Sequence, residues 1–153
     1  MKAQLFAVSL ILFLNLPLSA GWLATGHMLT TLIAQMDLEM CNPYAIEKSE
    51  KLISLLSPFT LEQDYPFVES SEWADDIKGQ NWKSWNPIHF LNIPLTDETS
   101  PENIKTPQRN ASWAINELVS TIMFPEPSTG PKVKGFEKSI SLRLLNHIIG
   151  DIH

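Results

Sequence analysis

The stretch FEKSISLRLLNHIIGD, residues 136–151, decides the fold because it joins a helical apolar stripe to a pair of potential metal ligands. Apolar residues recur there at four-residue steps, at Phe136, Ile140 and Leu144. This period predicts an α-helix with one inward face. His147 and Asp151, three and seven residues after Leu144, continue the same stripe and are expected to point into the protein as well. An inward imidazole and carboxylate suit a zinc site, and a core histidine bonded to its helical neighbour is the alternative.

Four further segments show helical patterning, and none shows the sustained alternation of a β-strand, so the predicted fold class is all-α. The segments are residues 27–36, 43–57, 70–79 and 111–123. Three of them have an apolar stripe. The stripes are Leu29, Leu32, Ile33 and Met36 in 27–36, Ile46, Ile53 and Leu56 in 43–57, and Ala111, Ala114, Ile115, Leu118 and Ile122 in 111–123. Pro43 suits a first turn, Ser70 or Ser71 an N-cap, and Gly79 a helix end. Residues 81–107 and 125–135 are predicted to be loops.

The N-terminus has the layout of a secretory signal peptide. Lys2 precedes an apolar run at residues 5–16 that is short for a bilayer span, and small residues follow Pro17. Cleavage after Gly21 is favoured over cleavage after Ala20, which would leave the large Leu18 at the −3 position. An uncleaved membrane anchor is the alternative. We therefore expect a signal peptide at 1–21, a single domain at 22–153, and a secreted protein or one in a lysosome- or vacuole-like compartment.

Charge and two isolated features limit the possible functions. Without Lys2, 10 basic residues remain against 17 acidic ones, a net charge of −7. This balance argues against a protein that binds nucleic acid mainly through Lys and Arg, but it permits phosphate recognition through bound cations. Cys41 is the single cysteine, so it is either a buried thiol or paired with a cysteine outside this sequence. Asn110 begins a glycosylation sequon.

The remaining histidines add potential ligands. His27 follows Trp22, the predicted mature N-terminus, by five residues. A free α-amino group has a pKa of about 7.7–8.0, so a metal displaces its proton at low cost, and the nitrogen and carbonyl oxygen of Trp22 can chelate one cation. His89 lies in a proline-flanked segment that is expected to be an extended loop. Asp75 lies on a short predicted helix and, taken alone, would be an ordinary surface residue.

Taken together, these motifs resemble the zinc-dependent S1/P1 nuclease family of single-strand nucleases. The motifs are, in order, Trp22, Gly26-His27, Trp73-Ala74-Asp75, His89-Phe90 before Pro94, and His147 with Asp151 and His153. All four histidines fall at family positions, and the resemblance runs from Trp22 to the last residue. It implies an all-α fold that is shared with zinc phospholipases C.

The resemblance also implies how metal is bound. One zinc ion would be surrounded by Asp75, His89, His147 and Asp151. A second would be bound by His27, by Asp151 as a bridging ligand, and by the amino nitrogen and carbonyl oxygen of Trp22. The family has a third zinc, whose ligands follow the position of His153. We therefore expect at most two complete zinc sites, and a chain that is the N-terminal part of a longer domain.

The implied reaction is hydrolysis of single-stranded DNA and RNA and of 3′-nucleotides, impaired here by the missing third site. Asp75 would orient the attacking water or take its proton. Lys78 replaces a family arginine, which keeps the charge but loses the bidentate fork. Phe90 would stack on a base, with a core aromatic as the alternative. Asn92 replaces an aspartate that reads base edges, and because asparagine both donates and accepts, base preference is expected to change.

Two other functions stay open at this point. The first is a zinc phospholipase C-like phosphodiesterase, although the short spacing between Trp22 and His27 favours the nuclease. The second is a non-catalytic secreted remnant that binds zinc or nothing. The expected partners are single-stranded nucleic acid or nucleotides, with no membrane association after signal cleavage. The sequence does not predict the oligomeric state.

Overall fold

The computed structural model describes residues 24–91, 106–125 and 134–152, which contain helices and turns but no β-strand. The predicted all-α class is confirmed. The α-helices are α1 (Ala24–Cys41), α2 (Pro43–Ser54), α3 (Pro66–Glu69), α4 (Trp73–Gly79), α5 (Ala111–Met123) and α6 (Phe136–Asp151), with 3-10 helices at Ser57–Phe59 and Lys83–His89. None of the described helices combines the length and the apolar character needed to cross a membrane.

Local sequence explains where several helices begin. Pro43 occupies the first turn of α2, and the side chain of Asn42 accepts a hydrogen bond from the Ala45 amide at 3.3 Å. Asn110 caps α5 in the same way, accepting from the Trp113 amide at 3.0 Å. Gly135 precedes α6 with a φ of 87°, a conformation that favours glycine. These features mark where α2, α5 and α6 begin.

The C-terminal helix α6 is the centre of the fold and contacts α1, α2, α4 and α5. One apolar cluster surrounds Leu144 and Ile148, with Ala74, Ala111 and Ala114 buried against them. The second cluster, formed around Leu142, has as its other buried members Ile46, Ile53 and Phe67. Because both clusters lie on α6, this helix joins the two halves of the core.

Most of the predicted apolar stripes are confirmed, but the one on α1 is wrong. Ile46 and Ile53 of α2 are buried, as is Leu56 in the turn that follows it, and so are Ala111 and Ala114 on α5. In contrast, the α1 side chains of the predicted apolar stripe are 40% to 61% exposed, namely Leu29, Leu32, Ile33 and Met36. The face of α1 that packs inward carries His27 and Thr31 instead. Polar contacts at His27, described below, orient this helix.

Three smaller predictions are also corrected. Ser70 and Ser71 do not cap α4, because their hydroxyls donate to the carbonyls of Phe67 and Val68 at 2.7 Å and the helix begins only at Trp73. Gly79 does end it, as predicted. The predicted loop at 81–107 contains the 3-10 helix Lys83–His89, and its residues 92–105 lie outside the described part. Cys41 is exposed, so the buried-thiol interpretation is wrong.

A buried ion pair, which no sequence pattern predicted, links α6 to Glu62, and its arginine also bonds to the end of α2. Arg143 is fully buried, donates through Nη2 to the Ile53 carbonyl at 2.7 Å, and pairs through Nη1 with Glu62, whose side chain is 4% exposed. The Ile53 carbonyl lies in the last turn of α2, where the helix dipole attracts a cation. Burial lowers the pKa of Arg143 to about 10, so the guanidinium remains charged at neutral pH.

Candidate metal centre

Five of the predicted ligand side chains converge beside the last turns of α6, and we call them the His/Asp cluster. Its members are His27 of α1, Asp75 of α4, His89 at the end of the 3-10 helix, and His147 and Asp151 of α6. The predicted site residues Trp22 and Asn92 lie outside the described residues, as does His153. The structure therefore brings together residues that are up to 124 positions apart, the separation of His27 from Asp151.

A backbone carbonyl on the side away from the cluster holds the His147 ring in one orientation. Its Nδ1 lies 2.6 Å from the carbonyl oxygen of Ser71, which can only accept, so Nδ1 carries the proton. The unprotonated Nε2 then faces the cluster, 3.2 Å from Asp151 Oδ2. Metal-binding histidines commonly donate their second ring nitrogen to a carbonyl or carboxylate in this manner. The backbone of Ser71 thus holds His147 in an orientation in which Nε2 could bind a metal.

His89 completes the group on this side of α6. Its Nδ1 lies 2.9 Å from Asp151 Oδ2 and 3.0 Å from His147 Nε2. The residue ends a 3-10 helix rather than lying in the extended loop that we expected, and the backbone becomes extended only at Phe90. Because His147 Nε2 is unprotonated, the proton between the two rings belongs to His89 Nδ1, and a bound metal would displace it.

His27 approaches the cluster from α1. Its ring stacks on that of His147, with centroids 4.0 Å apart and planes inclined by 18°, and its Nε2 lies 3.7 Å from Asp151 Oδ1. The side chain is buried, and Nδ1 has no hydrogen-bond partner among the described residues. Nε2 is the ring nitrogen that lies nearest to a carboxylate, so it is the atom that could bind a metal together with Asp151.

Asp75 lies at the open edge of the cluster with Lys78. Oδ1 of Asp75 is 3.8 Å from His147 Nε2 and 3.3 Å from Lys78 Nζ. The two side chains are 47% and 37% exposed, so solvent reaches this edge while the histidines stay buried. Lys78 Nζ also lies 5.9 Å from the ring centroid of Phe90, which is half-exposed. The sequence-predicted residues Lys78 and Phe90 therefore line the entrance to the cluster.

The charge states of the cluster suit metal binding. Burial by itself would raise the pKa of Asp151, but the close contacts with the His147 and His89 rings outweigh it and hold that pKa well below its usual range. Burial, reinforced by His147, lowers the pKa of His27. At neutral pH the site thus combines an ionised carboxylate with a neutral imidazole, the forms in which both residues ligate metals.

Within the described ranges, two three-residue groups can each hold a metal ion, since their ligand atoms lie within 4.8 Å of one another. The groups are His27, Asp75 and His147, and His89, His147 and Asp151. His147 is common to both, whereas the family resemblance gives the bridging position to Asp151. The Asp151 carboxylate nevertheless faces both groups, with one oxygen towards His27 and the other towards His89. Imidazole nitrogens with carboxylate oxygens fit zinc.

Gly150 is part of this centre although the sequence analysis did not select it. A Cβ atom at Gly150 would lie 2.5 Å from Nδ1 of His27, well inside van der Waals contact. Only glycine therefore lets α6 approach the His27 ring. The available signal was a glycine inside an otherwise regular helical pattern, which often marks a close approach.

Replacing Gly150 with alanine is expected to push the His27 ring away from His147, lowering both zinc affinity and stability. Overpacking of this kind costs about 1–3 kcal/mol, whereas glycine-to-alanine changes inside helices are normally stabilising. Gly79→Ala is the matched control, because nothing lies within 4 Å of a Cβ at Gly79. Urea denaturation and zinc titration measure both effects. Equal behaviour of the two variants would contradict the close approach of α6 to His27.

One comparison with known proteins identifies a family. The S1/P1 Nuclease family model matches residues 22–153, a range that includes every member of the His/Asp cluster. Searches of curated proteins and of solved structures each found no significant match. The family match covers most of the sequence and confirms the resemblance that its motifs predicted. The chain therefore belongs to the S1/P1 nuclease family.

Proposed function

We propose that the chain is a zinc-dependent phosphodiesterase that hydrolyses single-stranded DNA, single-stranded RNA and 3′-nucleotides. The observation that carries this proposal is the convergence of three imidazoles and two carboxylates in a member of a nuclease family. The acidic net charge is compatible with such a substrate when bound cations, rather than a basic surface, attract the phosphate.

Two zinc ions are proposed to bind residues of this sequence. One would be held by Asp75, His89, His147 and Asp151. The other would be held by His27 and Asp151 together with the α-amino nitrogen and carbonyl oxygen of Trp22. The 3.7 Å separation of His27 Nε2 and Asp151 Oδ1 supports the shared role of Asp151. When bound, zinc would polarise the phosphoryl oxygens and acidify a water molecule.

Asp75 is proposed as the residue that orients the attacking water and accepts its proton. Its carboxylate contacts both His147 and Lys78, and it is the half-exposed member of the cluster. A carboxylate with one side on the buried histidines and the other open to solvent can take a proton from water approaching a bound phosphate. The buried members of the cluster lack this access.

Lys78 and Phe90 are proposed to position the substrate at the entrance. Lys78 offers a positive charge for a phosphate oxygen, as a point charge rather than a planar fork. The half-exposed ring of Phe90 offers a stacking surface for a base, a contact that tolerates any sequence. Asn92 is proposed to contact base edges, with a preference that differs from that of an aspartate because an amide also donates.

The proposed route to this active form is secretory. Removal of the signal peptide 1–21 would free the amine of Trp22, which the preceding peptide bond otherwise makes a poor ligand. The compartment would then be extracellular or lysosome- or vacuole-like. Asn110 is proposed as a glycosylation site, and its side-chain oxygen would keep its capping bond to the Trp113 amide, because a glycan is attached to the nitrogen.

Cleavage assays on residues 22–153 test the proposal directly. Slow, chelator-sensitive cleavage of single-stranded DNA and RNA is expected, with duplex DNA cut less. Asp75→Asn should lower the rate by at least about a hundredfold, the usual contribution of a positioned proton acceptor. Asp76→Asn, one residue away on the same helix, should retain activity. Cleavage that persists in chelator, or no cleavage by a zinc-loaded protein, would contradict the enzymatic proposal.

A further inference from the structure

A pocket shares structural elements with the His/Asp cluster, and we call it the tryptophan cleft. It has a volume of about 240 Å³ between the 3-10 helix Lys83–His89 and α5. The residues that line it include Trp85, Ile88, Arg109, Trp113, Glu117 and Leu144. Pockets for drug-sized ligands usually enclose roughly 300–1,000 Å³, so this cleft suits a single flat ring system.

The cleft combines aromatic surface with a cation. Trp113 is partly exposed, and the guanidinium of Arg109 lies 5.5 Å from its ring centroid. Trp85 is held in place from two sides, with ring centroids 5.9 Å from Trp73 and 6.5 Å from Trp82. Fixed aromatic rings next to an arginine form the usual binding surface for single-stranded nucleic acid, where bases stack and the cation contacts the backbone.

The cleft is joined to the His/Asp cluster by short stretches of chain. Ile88 lines the cleft and directly precedes His89, and Leu144 lines it from α6, one turn before His147. The first amide of α5, at Ala111, donates to the Phe90 carbonyl at 3.0 Å. The cleft and the cluster therefore share two elements, α6 and the 3-10 helix Lys83–His89.

We propose that the tryptophan cleft is a second nucleotide subsite, which binds the base of a nucleotide neighbouring the scissile phosphate while Arg109 contacts that nucleotide's phosphate. This inference rests on the proposed function and gives it a substrate preference. Oligonucleotides that reach the cleft should bind more tightly than mononucleotides, which occupy the cluster alone.

Glu117 adds selectivity to this subsite. Its carboxylate lines the cleft and can accept a hydrogen bond from the exocyclic amino group of adenine, cytosine or guanine. Thymine and uracil lack that group and offer the carboxylate only the N3–H of the ring. Oligo(dC) is therefore expected to bind more tightly than oligo(dT), and Glu117→Gln should reduce the difference.

Fluorescence anisotropy on the zinc-loaded chain tests the subsite, with a fluorescein-labelled, cleavage-resistant phosphorothioate single strand of about six nucleotides as the probe. Trp113→Ala is expected to weaken binding by about five- to a hundredfold, the usual effect of losing one stacking surface. Arg109→Gln should weaken it as well, and Trp113→Phe should restore part of the loss. The matched controls are Tyr44→Ala and Lys48→Gln, an exposed cation–aromatic pair on α2 away from the cleft. They should change binding less than twofold.

The dependence of binding affinity on salt distinguishes the phosphate contact of Arg109 from the base stacking of Trp113. A plot of log affinity against log salt should become shallower by about 0.7 in Arg109→Gln and stay unchanged in Trp113→Ala, because only arginine neutralises a phosphate. Hydrolysis of a 3′-mononucleotide should be unaffected in both variants. If neither variant binds the probe more weakly than its control does, the subsite is wrong even where zinc-dependent cleavage persists. If the variants weaken binding but no cleavage occurs, the subsite stands and the enzymatic proposal fails.

Discussion

Asp151→Asn is expected to lower zinc affinity by more than about a hundredfold and to remove cleavage activity. The Asp151 carboxylate contacts three histidines, with Oδ2 2.9 Å from His89 and 3.2 Å from His147, and Oδ1 3.7 Å from His27. Loss of a residue that merely supports a metal ligand costs about 10–100-fold, so loss of a ligand common to two ions should cost more. The amide is neutral and presents a single oxygen, so it cannot bridge.

Competition titration with a chromophoric chelator measures this affinity, and circular dichroism shows whether the variant is folded. Asp37→Asn is the control, since Asp37 is an exposed carboxylate of α1 outside the His/Asp cluster. It should bind zinc as tightly as the parent chain. If a folded Asp151→Asn protein bound zinc as tightly as the Asp37 control, the cluster would not be the metal centre.

Glu62→Gln is expected to destabilise the fold by about 3–5 kcal/mol, because it leaves the fully buried guanidinium of Arg143 without a counter-charge. Such a loss is comparable to the whole net stability of a small domain. Urea denaturation measures it. In the double variant Glu62→Gln/Arg143→Met, much of the stability should return, since apolar replacements of buried ion pairs are often neutral or stabilising.

The matched control for this prediction is Glu47→Gln. Glu47 and Lys51 form an ion pair one turn apart on α2, but both side chains are more than half exposed, so solvent screens their attraction. Little change in stability is expected there. Destabilisation by Glu62→Gln no greater than by Glu47→Gln would mean that the Arg143 pair does not fasten α6.

The parts of the fold that depend on local pattern were predictable from sequence. The three- and four-residue spacing from Ile140 to Asp151 predicted α6 and put its two candidate ligands on one face, because a helical period determines which side chains share a face. Pro43 and the stripe on α2 were equally informative. No local pattern predicts that residues as distant as His27 and His89 converge, and only the family resemblance implied it.

The prediction for α1 failed because apolar spacing does not reveal which face a helix buries when polar contacts compete. The leucine and methionine side chains form the more regular stripe, yet α1 packs through His27 and Thr31. Stacking of His27 on His147 and the gap left by Gly150 favour that face. Both contacts span more than a hundred residues, and local spacing contains no information about them.

Contacts made through the backbone could not be predicted from the sequence either. The Ser71 carbonyl orients the His147 ring, and the Ile53 carbonyl accepts a hydrogen bond from Arg143. Every residue has a backbone carbonyl, so the residue type does not show which carbonyls make such contacts. Their use depends on where the chain before α4 and the end of α2 lie in space rather than on side-chain identity. Sequence motifs therefore identified the candidate ligands, while their orientation and support required the fold.

X-ray absorption at the zinc edge, recorded on residues 22–153 after titration with zinc, tests the central claim most directly. Binding by the His/Asp cluster predicts nitrogen and oxygen ligands at about 2.0–2.1 Å, with the outer-shell scattering of imidazole rings and no sulfur. Cys41 is an exposed free thiol and the main competitor, so Cys41→Ser should leave the spectrum unchanged. A sulfur ligand at about 2.3 Å, or zinc surrounded by oxygen alone, would contradict the account.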